Sequence, residues 1–153
     1  LAVLPNGDLV SGSRDWTIKI WNTTDGSLKR TLRNHTRSVD ALSVLPNGDL
    51  ASGSYDNSIN IWNTTDGSIK KILYDRSVNG VYALTILPNG DLASGSRDGN
   101  IYIWNMVDGT VKRILAGHTD SVTRLAVFAN GDLASGSDDR TIKIWSIKMA
   151  AVV

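Results

Sequence analysis

The chain has 153 residues, of which 41% are apolar and 20% charged, as expected for one ordinary globular domain. A formal net charge of +1 gives no general attraction to nucleic acid or membranes, and the absence of cysteine excludes disulfides and thiolate metal sites. No apolar run approaches the roughly 20 residues of a membrane helix and no charged-then-apolar leader opens the sequence, so no membrane association is predicted and the cytoplasm or nucleus is the default location.

One phrase recurs four times along the chain. It reads PNGDLASGSRDG from Pro88, and most of it appears in three other places. A tryptophan follows each copy a few residues later. These tryptophans are Trp21, Trp62, Trp104 and Trp145, which recur every 41 or 42 residues. A period in this range indicates a supersecondary unit that buries its apolar faces by stacking on its copies. We therefore predict one repeat segment over 1–153, with copies at about 1–21, 35–62, 78–104 and 118–145, each followed by an outer strand.

Each copy is predicted to form four antiparallel strands. In the last copy the mostly apolar segment 121–128 indicates a buried inner strand. Asn130 and Gly131 are expected to supply positive φ angles for a hairpin turn, which leads into a second strand of small residues ending at 137. The alternating TIKIW segment forms the third strand, and SLKRTL, SIKKIL or the tail SIKMAAVV forms the fourth. No segment keeps an apolar period of 3.6 residues, so helix is disfavoured.

Four strands in about 40 residues, joined by tight turns, are typical of a β-propeller blade. The segments SGSRDWTIKIWN, SGSYDNSINIWN, SGSRDGNIYIWN and SGSDDRTIKIWS, with AGHTDSV before the last, resemble WD-repeat propellers over essentially the whole chain. The predicted fold is all-β, a propeller of four-stranded antiparallel blades with about four blades present, either a partial ring or half of a closed ring. Because the sequence begins at Leu1 inside a repeat, we expect a fragment of a longer propeller.

The resemblance implies a structural role for a histidine, a serine and an aspartate that recur with the tryptophan. In this family the four side chains form a buried hydrogen-bonded tetrad. The implied tetrads are His35, Ser52, Asp56 and Trp62 in the second copy, and His118, Ser135, Asp139 and Trp145 in the fourth. The third copy has Ser77 or its neighbour in place of the histidine. Because no oxyanion-hole motif, metal-ligand spacing or phosphate loop accompanies these residues, we predict no catalytic residue, metal or cofactor.

The positions that differ between copies are predicted to lie on one face of the ring. The PNGDL and TTDG turns barely vary and share one face of a propeller, so the variable turns belong to the opposite face. The candidate protein-binding residues are Arg14, Trp16, Arg37, Asp40, Tyr55, Asn79, Tyr82, Arg97 and Asp138. Loops on a rigid scaffold often carry binding residues, and Arg, Tyr and Trp are enriched in interface hot spots. We therefore predict a non-enzymatic scaffold that binds other proteins or peptides.

Two alternative functions and one mode of assembly stay open. The basic pairs Lys29–Arg30, Lys70–Lys71 and Lys112–Arg113 on the outer strands suit phosphate contacts, but protection of exposed strand edges explains them better and nucleic acid is disfavoured. An enzyme or a carbohydrate-binding propeller would need a cluster of polar residues at the central channel. The sequence shows no such cluster, because Arg124 is the one charged residue in the inner strands beyond their first residues. Four blades leave two faces bare, so further blades, self-association of two chains or closure of four blades alone would complete the ring.

Overall fold

The computed structural model describes residues 1–76 and 78–147, which form fifteen β-strands and no helix. The strands of the first two sheets are β1 (Ala2–Val3), β2 (Leu9–Gly12), β3 (Thr17–Trp21), β4 (Leu28–Arg33), β5 (Val39–Val44), β6 (Leu50–Ser54), β7 (Ser58–Trp62) and β8 (Ile69–Tyr74). Those of the next two are β9 (Val81–Ile86), β10 (Leu92–Ser96), β11 (Ile101–Trp104), β12 (Val111–Leu115), β13 (Val122–Val127), β14 (Leu133–Ser137) and β15 (Ile142–Trp145). The predicted all-β fold is confirmed.

Each sheet is an antiparallel meander whose strands lie in chain order. We call the sheets blades 1 to 4; the first three have four strands, and the described part of blade 4 has three. The outer strand predicted at 146–153 lies largely outside the described residues. The inner strands are neighbours, since β5 contacts both β1 and β9, and β9 contacts β13. The sheets form an open arc, so four blades do not close a ring by themselves.

The core lies between the blades. At the junction of blades 1 and 2, Ile18 belongs to the same buried cluster as Trp62. At the next junction, Ile59 belongs to the same cluster as Trp104, and a third cluster joins blades 3 and 4. Each blade therefore stabilises its neighbour by burying apolar side chains against it, as the repeat period predicts.

The small residues of each second strand are explained by the packing of the next blade. A Cβ on Gly53 would come within 2.3 Å of the Val81 side chain, and a Cβ on Gly95 within 2.6 Å of the Val122 carbonyl oxygen. In blade 4 the equivalent Gly136 would meet its nearest atom at 3.6 Å, which is an ordinary contact. Glycine is thus required where a following inner strand packs closely, and the requirement is absent on the open face of blade 4.

The PNGD-type hairpin differs from the prediction in one backbone detail. Gly131 has a φ of 87°, but Asn130 does not adopt a positive φ. Instead, the side-chain oxygen Oδ1 of Asn130 accepts the Asp132 N–H at 3.0 Å, and the side-chain amide Nδ2 donates to the Asp132 carboxylate at 2.8 Å. The prediction of two positive φ angles was wrong because asparagine shapes this turn through side-chain hydrogen bonds.

Candidate protein-binding face

Hydrogen bonds show which turns share an end of the sheets. The Thr64 hydroxyl donates to the Gly48 carbonyl at 3.0 Å, which joins the β7–β8 turn to the β5–β6 hairpin. At the opposite end the Arg97 N–H donates to the Asn79 carbonyl at 2.9 Å, which joins the β10–β11 turn to the segment before β9. We call this second end the loop face. It carries the turns that vary between copies.

A cavity of about 950 Å³ opens on the loop face, and its lining comes from all four blades. Seven of the predicted binding residues line it, namely Arg14, Trp16, Arg37, Asp40, Tyr55, Tyr82 and Asp138. The other two, Asn79 and Arg97, line an adjacent cavity of about 270 Å³ together with Arg37 and Tyr55. The topology therefore brings residues from separate repeats to one surface.

Several lining residues of the large cavity were not among the predicted binding residues. They are Thr36, Ser38, Ser121, Thr123 and Arg124. The small polar side chains carry no signal beyond their position in the segments that lead into the inner strands. Arg124 did carry one, because it is a charged residue in the middle of an otherwise apolar inner strand. Its guanidinium donates to the Thr123 carbonyl at 2.6 Å.

The turn between the second and third strands holds one residue of each blade in the left-handed region. The φ angles are 72° for Trp16, 73° for Asn57, 85° for Gly99 and 68° for Arg140. This region favours glycine, and a residue with a Cβ costs about 1–2 kcal/mol there. Trp16 is nevertheless 54% exposed. Blade 1 thus presents a bulky indole to solvent from a strained position.

Tyr55 is the centre of an aromatic and cationic cluster between blades 2 and 3. The guanidinium carbons of Arg37 and Arg97 lie 5.7 and 5.4 Å from the centroid of its ring. Arg97 also donates a hydrogen bond to the Tyr55 hydroxyl. The Tyr82 ring centroid lies 6.1 Å from that of Tyr55, and burial together with this neighbour raises the pKa of Tyr82. These contacts fix the orientation of both guanidinium groups.

The side chains predicted to form a tetrad in blade 2 are joined in a hydrogen-bonded chain. The Trp62 indole N–H donates to the Ser52 hydroxyl at 2.8 Å, and Ser52 lies 2.7 Å from His35 Nε2. His35 Nδ1 lies 2.9 Å from the Asp56 carboxylate. Burial raises the pKa of Asp56, but hydrogen bonds from His35 and Ser58 outweigh burial and hold this pKa well below its usual value. Because an ionised carboxylate only accepts, His35 Nδ1 carries a proton and donates it to Asp56.

Blade 4 repeats this arrangement, and blade 3 replaces it. In blade 4, His118 Nδ1 lies 2.7 Å from the Asp139 carboxylate and His118 Nε2 lies 2.7 Å from the Ser135 hydroxyl. The Ser135 hydroxyl also accepts the Trp145 N–H at 2.8 Å. Ser77, which was proposed for the histidine position of blade 3, lies outside the described residues.

In blade 3 the partner of the turn aspartate is a tyrosine. The Tyr102 hydroxyl donates to the Asp98 carboxylate at 2.7 Å, and the Tyr102 side chain is buried. Sequence reasoning missed this residue. The sequence did contain a feature that could have indicated this contact. Tyr102 belongs to the copy with no histidine before its inner strand, and the equivalent residues of the other copies are Lys19, Asn60 and Lys143.

The family is decided by a direct match to the repeat. The WD40 family model, described as "WD domain, G-beta repeat", matches residues 1–22, 26–63, 66–105 and 109–146. The chain belongs to the WD40 repeat family. WD40 propellers are generally protein-interaction scaffolds without enzymatic activity. The resemblance inferred from the four repeated segments is thereby confirmed.

Two similar proteins support the WD40 fold. The chain is 27% identical to the crystal structure of the WD40 beta propeller domain of Doa1, with a TM-score of 0.84 over 92% of this chain and 47% of that one. A segment of 34 residues is 56% identical to nuclear distribution protein PAC1-1 of Uncinocarpus reesii (strain UAMH 1704), covering 22% of this chain and 8% of the relative. The chain thus spans about half of the solved WD40 chain and a small part of PAC1-1.

The basic outer strands of this WD40 arc make contacts within the molecule. The first lysine of each basic pair binds an aspartate of its own blade at 2.7–2.8 Å. These ion pairs are Lys29–Asp8, Lys70–Asp49 and Lys112–Asp91. Arg30 donates to the Asp66 carbonyl at 2.6 Å and Lys71 to the Val107 carbonyl at 2.8 Å, so each of these two cations contacts the next blade.

Within residues 1–76 and 78–147, no cluster of three His, Cys, Asp or Glu side chains is arranged to hold a metal ion. Over the same ranges, no helix is long and apolar enough to span a membrane.

Proposed function

We propose that this WD40 chain binds protein or peptide partners through its loop face and serves as a platform for assembling complexes. The observation that carries the proposal is the convergence of predicted binding residues from four blades on one cavity of about 950 Å³. Trp16, Tyr55 and Tyr82 are of the types that dominate binding energy at protein interfaces. Arg14 and Asp138 add charges of opposite sign that orient a bound chain.

The backbone at Trp16 supports this proposal. Glycine occupies the equivalent turn position in blade 3 without strain, whereas Trp16 adopts the same left-handed conformation with a bulky side chain. Strain retained at an exposed position is typical of binding sites. The ion pairs of the outer strands point the same way, because a lysine neutralised by an aspartate of its own blade is a poor phosphate ligand.

The test is selection of phage-displayed random peptides on the immobilised chain, followed by anisotropy measurements with the selected peptides. We expect Trp16→Ala to weaken binding about tenfold or more, as for a hot-spot residue. Val107→Ala is the matched control, since Val107 is an exposed apolar residue on a turn at the opposite end. Equal binding by the native chain and Trp16→Ala, or equal loss in both variants, would overturn the loop face as the binding site.

Self-association is a second candidate interaction. Ile142 and Ile144 of blade 4 are 78% and 66% exposed, whereas the equivalent Ile101 and Ile103 of blade 3 are buried against blade 4. A second chain that placed its first blade on this surface would bury the two isoleucines, and two such contacts would close an eight-bladed ring. Light scattering after size exclusion should give a dimer that Ile142→Lys dissociates. A monomeric native chain would refute self-association.

A further inference from the structure

We propose that the loop face recognises an acidic segment of a partner peptide, with a side-chain carboxylate seated between Arg37 and Arg97 beside Tyr55. This inference rests on the proposed function and adds the chemistry of the ligand. It concerns the cavity of about 270 Å³ between blades 2 and 3, which Thr36, Asn57 and Asn79 also line.

The two arginines hold positive charge that the described residues do not neutralise. Within 1–76 and 78–147, carboxylates lie at ion-pair distance from Lys29, Lys70 and Lys112, as well as from both histidines, but not from Arg37 or Arg97. Both arginine side chains instead lie against the Tyr55 ring. One Arg97 N–H is used by the Tyr55 hydroxyl, but a guanidinium has five N–H donors and stacking on a ring uses none of them, so the pair presents a preformed anion site.

The one carboxylate lining this cavity is already satisfied. Asp56 accepts hydrogen bonds from His35 Nδ1 at 2.9 Å, the Thr36 N–H at 2.9 Å and the Ser58 N–H at 3.0 Å, and the Ser58 hydroxyl donates to it at 2.6 Å. Its hydrogen-bonding capacity is therefore taken up by the tetrad and the turn. The groups left to meet a ligand are mainly donors, namely two guanidinium groups, the Asn79 amide and the Thr36 hydroxyl.

The rest of the loop face gives the bound segment a direction. Asp40 and Asp138 line the neighbouring large cavity, close enough to Tyr82 to affect its ionisation. Both aspartates share this large cavity with Arg37 and Tyr55, so the acidic residues border the Arg37–Tyr55–Arg97 cluster. A peptide carboxylate bound between the arginines would occupy the smaller cavity, which neither Asp40 nor Asp138 lines.

The experiment uses degenerate fluorescent peptide pools that differ only in the central residue, which is glutamate, glutamine or phosphoserine. We expect the glutamate pool to bind the native chain about fivefold or more tightly than the glutamine pool, because one charge-assisted bond distinguishes them. Arg37→Gln and Arg97→Gln should each remove most of this preference. Arg113→Gln on the outer strand is the matched control and should leave the preference unchanged. The preference should also shrink between about 50 and about 300 mM salt, since exposed charges are screened.

Three outcomes would overturn the acidic preference while leaving peptide binding on the loop face intact. The first is equal binding of the glutamate and glutamine pools, and the second is a glutamate preference that survives in Arg37→Gln/Arg97→Gln. The third is a phosphoserine pool that binds much more tightly than the glutamate pool, which would assign the site to a phosphorylated side chain. If Trp16→Ala weakens all pools while the central residue makes no difference, peptide binding on the loop face stands and only the acidic preference fails. Absence of binding by every pool would overturn both.

Discussion

Replacing Ser52 with alanine should destabilise the protein far more than the same substitution at the equivalent Ser11 of blade 1. Both hydroxyls accept the indole N–H of their own blade, at 2.8 Å from Trp62 and at 2.9 Å from Trp21. The two sites differ in burial and in the presence of a histidine. Ser52 and Trp62 are buried and Ser52 also contacts His35, whereas Ser11 and Trp21 are partly exposed.

The expected magnitudes follow from the groups left without partners. Ser52→Ala strands the Trp62 N–H and the His35 Nε2 atom away from water, at about 1–3 kcal/mol each, so the total loss is about 2–6 kcal/mol. At Ser11 water replaces the lost hydroxyl, and the loss is about 0.5–1.5 kcal/mol. The first loss is a large fraction of the roughly 5–15 kcal/mol stability of a typical domain.

Urea denaturation followed by circular dichroism measures both losses, and near-native spectra in the absence of urea serve as the check on folding. Equal losses for the two variants would refute the reasoning, because only burial and the histidine distinguish the sites. A loss at Ser52 below about 1 kcal/mol would also contradict it, since the buried donor would then have found another partner.

The remaining predictions concern packing, pH and blade 3. Gly95→Ala should lower the unfolding free energy by about 1–3 kcal/mol because its Cβ meets backbone at 2.6 Å, while Gly136→Ala should be nearly neutral; similar urea midpoints would contradict this. Because the folded-state pKa of Asp56 lies below the usual value of about 4, its carboxylate stabilises the fold above that pH and less as pH falls, so Asp56→Asn should flatten the acid side of a stability–pH curve. Tyr102→Phe should cost about 1–3 kcal/mol by removing the hydrogen bond to the Asp98 carboxylate, and an unchanged melting temperature would argue against that role.

Much of the loop face followed from comparing the four copies. Variation next to the turn aspartate selected Arg14 and Tyr55, and variation in the lead to the inner strand selected Arg37 and Tyr82. All four line one cavity. The comparison works because a position that packing constrains keeps its residue in every blade, while a solvent-facing position is free to differ. It could not assign partners to these residues, since the contact between Arg97 and Tyr55 joins side chains 42 positions apart.

The sequence by itself determined the repeat, the four strands of a copy, the turns and the end of the sheets that carries the variable loops. These features depend on interactions between residues close in the chain, as in the tight turns, or on a period that any stacked repeat must obey. The tertiary structure alone decided that Tyr102 binds Asp98 in a blade without a histidine, that Lys71 contacts the next blade, and that two arginines share one tyrosine ring. Such contacts depend on how closely blades stack and at what angle, which the period does not specify.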